Sequence, residues 1–561
     1  MLIKVIVVIL VLGILFVFAA GRDRRMQRMR LKEVLKQEWG MYTRDEYSDA
    51  IMENIKYYHE QKKTEHSVDD ITWNDLNMEA IFQQLNHTRT SAGEEYLYHL
   101  LRTPEYFEGE LEKRETVIRS IQEHPELREE FELSLYDIGK TDRISVYRHL
   151  CGAKNLHLVK RWPHVCSALI LLGGAVLVFF SSPAVLFLLF FIMGANAYFY
   201  YKEKEKILKD IALYEFILGT VRQCSQIGRM VLPECEGYFI RLKELAVKFR
   251  KFCRFHFLVS GGNTMSGSLF DSVFDYIRIL FHVDLIKIST MAKEVTKYEK
   301  ELLEIYGIIG FLDSMLAAAS YRQMLGDYGI PDLYSADGRD NICRMEIKGL
   351  YHPLLSHPVK NDIAADRCML LTGSNASGKS TFIKAVAVSA LFAQTIHTVP
   401  ADSYKACFYR IYSSMALRDD ILSNESYFIV EIKSLKRIFE KAKEPGVPVL
   451  CFIDEILRGT NTVERVAASS KLLEALSGEN AMCFAATHDI ELTYLLEGQY
   501  ANYHFSEHIK EEDITFDYQL KKGRADSRNA IRLLAMVGFE RELVEQSMKR
   551  VEAFLSEGVW Q

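Results

Sequence analysis

No C-x-x-C pair occurs among the ten cysteines of the chain, which are scattered along it. That spacing offers neither a zinc site nor a disulfide framework. It suits a reducing, cytosolic setting for the parts outside any membrane. A basic surplus is missing too. The net charge of −6 and the sequence pI near 6.3 exclude a surface uniformly basic for nucleic acid, though a local basic face remains open. There is no tandem repeat, no low-complexity tract, and no aromatic-and-basic tract of the kind that stacks on bases. At 561 residues the chain has room for roughly three or four domains.

Charge is absent altogether from long apolar stretches. Val5 to Ala20 is followed at once by Arg22, Arg24, Arg25, Arg28, Arg30 and Lys32. A cleaved signal peptide would carry its positive charge before the apolar run. Charge after the run predicts an outside N-terminus, and the length is close to the roughly 17-residue minimum for a spanning helix. Val165 to Tyr201 contains no Asp, Glu, Lys or Arg, with Ser181-Ser182-Pro183 as a central turn. That is too long for one crossing and right for two. Lys160 and Arg161 precede this pair, and Lys202, Lys204 and Lys206 follow it, so both ends read as cytoplasmic. Tyr198, Tyr200 and Tyr201 suit the membrane interface. The expectation is a multi-pass protein of the cell membrane, with three spans and its other domains in the cytoplasm.

The linear organisation expected is a membrane helix over 1–21, a charged juxtamembrane helical segment over 22–70, and a helical domain over 71–160. A two-helix transmembrane hairpin follows over 163–201, then more helices over 202–340. Leu76, Met78, Ile81 and Leu85 recur at helical spacing, and Lys293 to Tyr306 alternates charges three and four apart as a solvated helix would. From about 341 to 561 the texture changes. Strand-like runs at Met345 to Ile347, Cys368 to Leu371, Val449 to Ile453 and Met482 to Ala486 alternate with helix-length segments. Such alternation indicates an α/β domain with a largely parallel sheet. One or two helices close the chain over 531–557.

Within that domain Gly373, Ser374, Asn375, Ala376, Ser377, Gly378, Lys379 and Ser380 spell G-x-x-x-x-G-K-[ST], the phosphate-cradling loop. Its context fits: a strand-length apolar run precedes it, and Thr381 opens a helix-forming run free of Gly and Pro. Backbone N–H groups and the helix N-terminus favour phosphate there, with Lys379 neutralising the β/γ oxygens. Downstream, Val449 to Ile453 ends in Asp454 and Glu455. Asp454 would hold Mg²⁺ with the Ser380 hydroxyl, and Glu455 would orient or deprotonate the attacking water. The run Met482 to Ala486 ends in Thr487-His488-Asp489, so His488 should reach the same sheet edge and meet the γ-phosphate or the water. ATP and Mg²⁺ are the expected cofactors, and the reaction is ATP hydrolysis.

These residues resemble the ATPase domain of the MutS family of mismatch-repair proteins. Thr372 to Thr381 follows T-G-x-N-x-x-G-K-S-T, Asp454 to Thr460 follows D-E-x-x-R-G-T, and Ala486-Thr487-His488 repeats A-T-H. Asp419 to Phe428 resembles the segment that reaches the neighbouring subunit's nucleotide. Thr88 to Leu97 resembles the start of the family's helical core. The resemblance implies a fold in which an ABC-type, MutS-like P-loop ATPase domain joins an all-α core and lever domain split by the transmembrane hairpin. It implies a homodimer through the ATPase domains and C-terminal helices, with ATP between Lys379 of one chain and Ser426 of the other. It further implies a DNA partner, mismatched or branched.

Departures from the family pattern leave alternatives open. No Phe-x-Glu wedge domain precedes the core, the residues between the lever halves are few for a full DNA clamp, and Asn424 and Glu425 stand where the family carries a small, basic neighbourhood. Fold-level kinship does not fix function. An ATPase driving a protein or membrane process without DNA is the competing reading. A transport ATPase is weaker, since L-S-G-G-Q is missing and the spans carry no intramembrane charge.

Overall fold

The computed structural model describes the chain apart from residues 1–21, 24, 42–46, 142–143, 153–158, 181–183, 255–268, 336–343, 375–376, 416–426, 511–512, 526–530, 532–533, 535–537 and 558–561. The expected first span, Val5 to Ala20, lies outside the described residues. Two compact units make up the chain: Met1–Lys62, Leu85–His99 and Thr116–Met324 form one, and Lys63–Gln84, Leu100–Glu115 and Leu325–Gln561 the other.

The described residues of the first unit are helical. Its central helix, Glu299–Leu325, is apolar and long enough to cross a membrane by composition, yet most of it is buried. It is a core helix. Its Asp313 carboxylate accepts hydrogen bonds from the backbone N–H groups of Arg89 and Thr90 and from the Thr90 hydroxyl (2.7–3.1 Å), fixing the start of helix Ser91–Arg102. The charged stretch Lys293 to Tyr306 is not one helix but two. Val283–Lys297 ends at Tyr298, which leaves helical dihedrals while its ring packs edge-on against Phe249.

Helices Arg161–Phe180 and Ala184–Lys206 cover the expected hairpin. They run antiparallel: Ser167 Oγ donates to Asn196 Oδ1 at 2.6 Å, and Gly174 lies against Leu189 and Ile192. Their outer faces are apolar and exposed, with Leu169 at 60%, Phe190 at 63% and Phe187 at 79% of full exposure.

The second unit contains two sheets among its described residues. The larger has strand order β10-β9-β4-β8-β7-β6. Here β4 is Cys368–Thr372, β6 Arg410–Ser414, β7 Val449–Asp454, β8 Ala481–Ala486, β9 Tyr500–Lys510 and β10 Asp513–Lys522. All neighbours from β9 to β6 pair in parallel, and β10 closes the edge antiparallel to β9. Strands β4, β7 and β8 are near-continuous apolar runs because both faces are covered. Leu370, Ile453, Ala485, Leu473 and Leu476 meet in one core with Leu435 and Ile438.

A four-stranded sheet of order β1-β5-β2-β3 accompanies it, with β1 at Pro331–Tyr334, β2 at Met345–Leu350, β3 at Asn361–Ala365 and β5 at Ser403–Cys407. Residues 63–84 and 100–115 complete this unit without strand pairing, through side-chain contacts and a backbone hydrogen bond from the Glu105 N–H to the Gln394 carbonyl at 2.8 Å. Asp75 accepts from Ser413 Oγ at 2.6 Å and from the Met415 N–H at 3.0 Å, and Arg114 Nη1 donates to the Thr395 carbonyl at 2.6 Å.

Candidate nucleotide site

Register brings the three motifs to one edge. Ala486 of β8 lies between Leu371 of β4 and Asp454 of β7, so the residues after each strand emerge side by side at the C-terminal ends of the sheet. Ligands bind at such edges in open α/β sheets. The glycine loop follows β4 and helix Lys379–Thr395 follows the loop, as the local sequence demands. Gly378, at φ 104°, caps that helix; a β-carbon there would be strained and would lie 3.1 Å from the Tyr518 ring.

Lys379 is buried, and its Nζ donates to the carbonyls of Gly373 (2.8 Å) and Ser374 (2.9 Å). Burial pushes its amine below the usual range, while the carboxylates of Asp454, Glu455 and Glu507 pull it partly back. Asp454 shows the converse. Burial pushes its carboxyl up, a hydrogen bond from the Ser380 hydroxyl pulls it down, and the neighbouring Glu455 pushes it up again. Its Oδ1 is buried without a hydrogen-bond partner. An orphaned carboxylate oxygen beside a hydroxyl, with a second carboxylate close by, is a donor set that suits Mg²⁺. No group of three His, Cys, Asp or Glu side chains is placed to hold a metal among the described residues. A divalent ion here would therefore complete its shell with water and substrate phosphate.

Glu455 donates its N–H to the Ala486 carbonyl (2.9 Å) and adopts φ 55°, as does Leu457. Its side chain meets His488 Nε2 at 2.9 Å through one oxygen and Arg458 Nη1 at 2.8 Å through the other. The left-handed turn is held from below by Glu431, on helix Tyr427–Ala442, whose carboxylate accepts from the N–H groups of Leu457 and Arg458. Asp489 is paired with Arg465 through both oxygens, at 2.9 and 2.6 Å.

Of the residues singled out by sequence, Ser374, Ser377, Gly378, Lys379, Ser380, Thr381 and Glu455 line one cavity of about 480 Å³, and Gly373 adjoins it through its carbonyl on Lys379 Nζ. Asp454 adjoins it through Ser380, and His488 through Glu455. Asn375, Ala376 and Ser426 lie outside the described residues. Motif reading missed Glu431, which has no phosphate-binding signature. It also missed an aromatic and apolar wall of the cavity that includes Tyr351, His352, Leu355, Phe505 and Tyr518, the last packed against Gly378 of the loop. Burial and the nearby Lys384 push the His352 imidazole down to about 4, so this wall is uncharged at neutral pH. Aromatic and apolar groups beyond a phosphate loop suit a nucleoside.

The sheet order, the phosphate loop and the paired acids define an α/β P-loop nucleotide-binding domain. Residues 369–555 match the family described as MutS domain V. The chain is 31% identical over 280 residues to the DNA mismatch repair protein MutS of Thermotoga maritima, covering 47% of this chain and 33% of that protein. With the DNA mismatch repair protein MutS of Thermus aquaticus it shares 32% over 215 residues, 37% and 26% of the two chains. The MutS of Thermotoga neapolitana is 34% identical over 246 residues, 42% and 29%. These matches span about a third or less of the relatives' own length.

Proposed function

We propose that the chain is a Mg²⁺-dependent ATP hydrolase of MutS type, attached to a membrane, whose ATP cycle moves the helical unit. The observation that carries the hydrolase reading is the common edge at which Lys379, Asp454, Glu455 and His488 converge. ATP would enter with its phosphates on the loop and its nucleoside against Tyr351, His352 and Tyr518. Mg²⁺, held by Asp454 and Ser380, would neutralise charge on the phosphate oxygens. Lys379 would exchange its contacts with the loop carbonyls for phosphate oxygens. Glu455 would orient the attacking water and take its proton, with His488 holding the carboxylate in place. A homodimer through this domain, with Ser426 completing the partner's site, follows from the same resemblance. ATP and ADP would bias the two arrangements of the helices by their different affinities.

The membrane reading rests on the exposed apolar faces of helices Arg161–Phe180 and Ala184–Lys206, flanked by basic residues at both ends. It adds the N-terminal stretch as a third span and a cytoplasmic ATPase domain. Double-stranded DNA, mismatched or branched, is the proposed partner; the names of the relatives point to DNA mismatch repair. The second reading, a protein or membrane process without DNA, is favoured by the same hairpin. ATP turnover by the purified full chain, with and without Mg²⁺, tests the hydrolase; no turnover above background would remove it. Binding of branched and mismatched duplexes at several salt concentrations separates the partners. A steep loss of affinity with salt supports DNA, and no binding at low salt leaves the second reading.

A further inference from the structure

A second cavity, of about 780 Å³, lies at the base of the hairpin beside His282 and takes no part in nucleotide chemistry. It is within the about 300–1,000 Å³ typical of small-molecule sites. Its lining has two characters. Ile170, Phe191, Ile192 and Phe199 are apolar, whereas Lys160, Lys202 and Lys206 bring cations. Glu203 is the one carboxylate in the lining, and it pairs with Lys206 at 2.8 Å, so the lining keeps a positive balance.

Beneath lies a connected polar base. Asn196 Nδ2 donates to the Leu280 carbonyl at 3.1 Å, and His282 Nε2 lies 2.9 Å from the Asn196 carbonyl. A carbonyl can only accept, so His282 carries its proton on Nε2. Neutral His282 must then accept at Nδ1 from His164 Nδ1, 2.9 Å away. That leaves Nε2 of His164, a cavity-lining residue, as an acceptor for a ligand hydroxyl and not for a phosphate oxygen. The apolar wall continues into the exposed hairpin face at Leu169 and Phe187. A long apolar ligand can therefore leave the cavity without entering water.

We infer that this cavity binds one anionic phospholipid. Its phosphate sits among Lys160, Lys202 and Lys206, and one acyl chain lies along Ile170, Phe191, Ile192 and Phe199. Both helix ends bring their lysines to the cytoplasmic side, where anionic lipid attracts them. The inference rests on the membrane reading above.

The test uses the full chain in detergent, titrated with phosphatidylglycerol or phosphatidylcholine and weighed intact by native mass spectrometry. Flotation with vesicles of the same lipids is measured alongside. One phosphatidylglycerol per chain is expected, at least about tenfold preferred over phosphatidylcholine, and inorganic phosphate should not displace it. Lys160→Gln and Lys202→Gln should each weaken it about fivefold. Ile170→Trp, which fills the cavity, should abolish it, while Leu169→Trp on the outer face should not. Equal retention of the two lipids, or phosphatidylglycerol retained unweakened by Ile170→Trp and by both single lysine variants, overturns the site. A chain that floats without lipid preference loses only the site. A chain that is soluble without detergent and floats with neither vesicle loses the membrane reading as well.

Discussion

Nε2 of His488 lies 2.9 Å from Oε1 of Glu455, across the ends of two neighbouring parallel strands. Since Arg458 takes the other carboxylate oxygen at 2.8 Å, Glu455 is held from both sides before any substrate arrives. A carboxylate fixed in this way costs little reorganisation when it acts as a base.

Glu455→Ala should therefore bind ATP about as well as wild type while slowing hydrolysis by about 10²-fold or more. Equilibrium nucleotide binding and single-turnover hydrolysis, measured side by side, separate the two effects. Equal turnover in variant and wild type would take Glu455 out of the mechanism.

Lys379→Ala should lose ATP affinity by about 10- to 10²-fold, the worth of one hydrogen bond to a charged group. Fluorescent-nucleotide titration reads this directly. Unchanged affinity would mean that the amine stays on the Gly373 and Ser374 carbonyls with nucleotide bound.

Glu431→Ala removes the acceptor beneath the left-handed turn at Leu457 and leaves the N–H of this buried residue unpaired. Stability should drop by about 1–3 kcal/mol. Turnover should drop while ATP affinity holds, because the turn positions Glu455 and not the loop. Urea unfolding together with the kinetics checks both; a loss of affinity equal to the loss of turnover would show a general collapse of the domain.

Gly93 packs so closely on Asp313 that a β-carbon would come within 2.1 Å of Oδ2. Gly93→Ala must push the carboxylate off the Thr90 N–H and hydroxyl, at a cost of about 1–3 kcal/mol for the overpacking alone. A melting temperature unchanged from wild type would show that the junction has slack.

Glu95 is buried in the first unit, where desolvation pushes its carboxyl from 4.5 to about 8 against hydrogen bonds from Tyr306 and Ser145. A raised folded-state value means the native form holds its proton longer than the unfolded chain. Its contribution is therefore complete below 4.5 and is lost progressively as pH rises through about 8. Thermal stability should decline with rising pH across that window, and Glu95→Gln should flatten the decline. An equal slope in the variant would place the titration elsewhere.

Much of the candidate site was legible in the sequence because phosphate chemistry is local. A glycine loop needs its strand, turn and helix within one short stretch, and Gly373 to Ser380 with their flanks supply all three. The apolar runs of β4, β7 and β8 were equally plain, since a strand covered on both faces has no polar alternation to hide it. The exposed hairpin follows its uncharged run for the same reason. Contacts between distant segments carry no such pattern.

Tertiary structure alone decided that β8 separates β4 from β7, which brings His488 to Glu455. It alone placed Glu431 under Leu457, and brought Tyr351, His352 and Tyr518 into the cavity of the phosphate loop. It also drew residues 63–84 and 100–115 into the sheet-bearing unit through Asp75 and Arg114, and tied Thr90 to Asp313. The physical reason is the same in each case. Residue spacing encodes local conformation and which face is apolar, whereas strand order and the partner of a buried charge are chosen by packing of the whole unit.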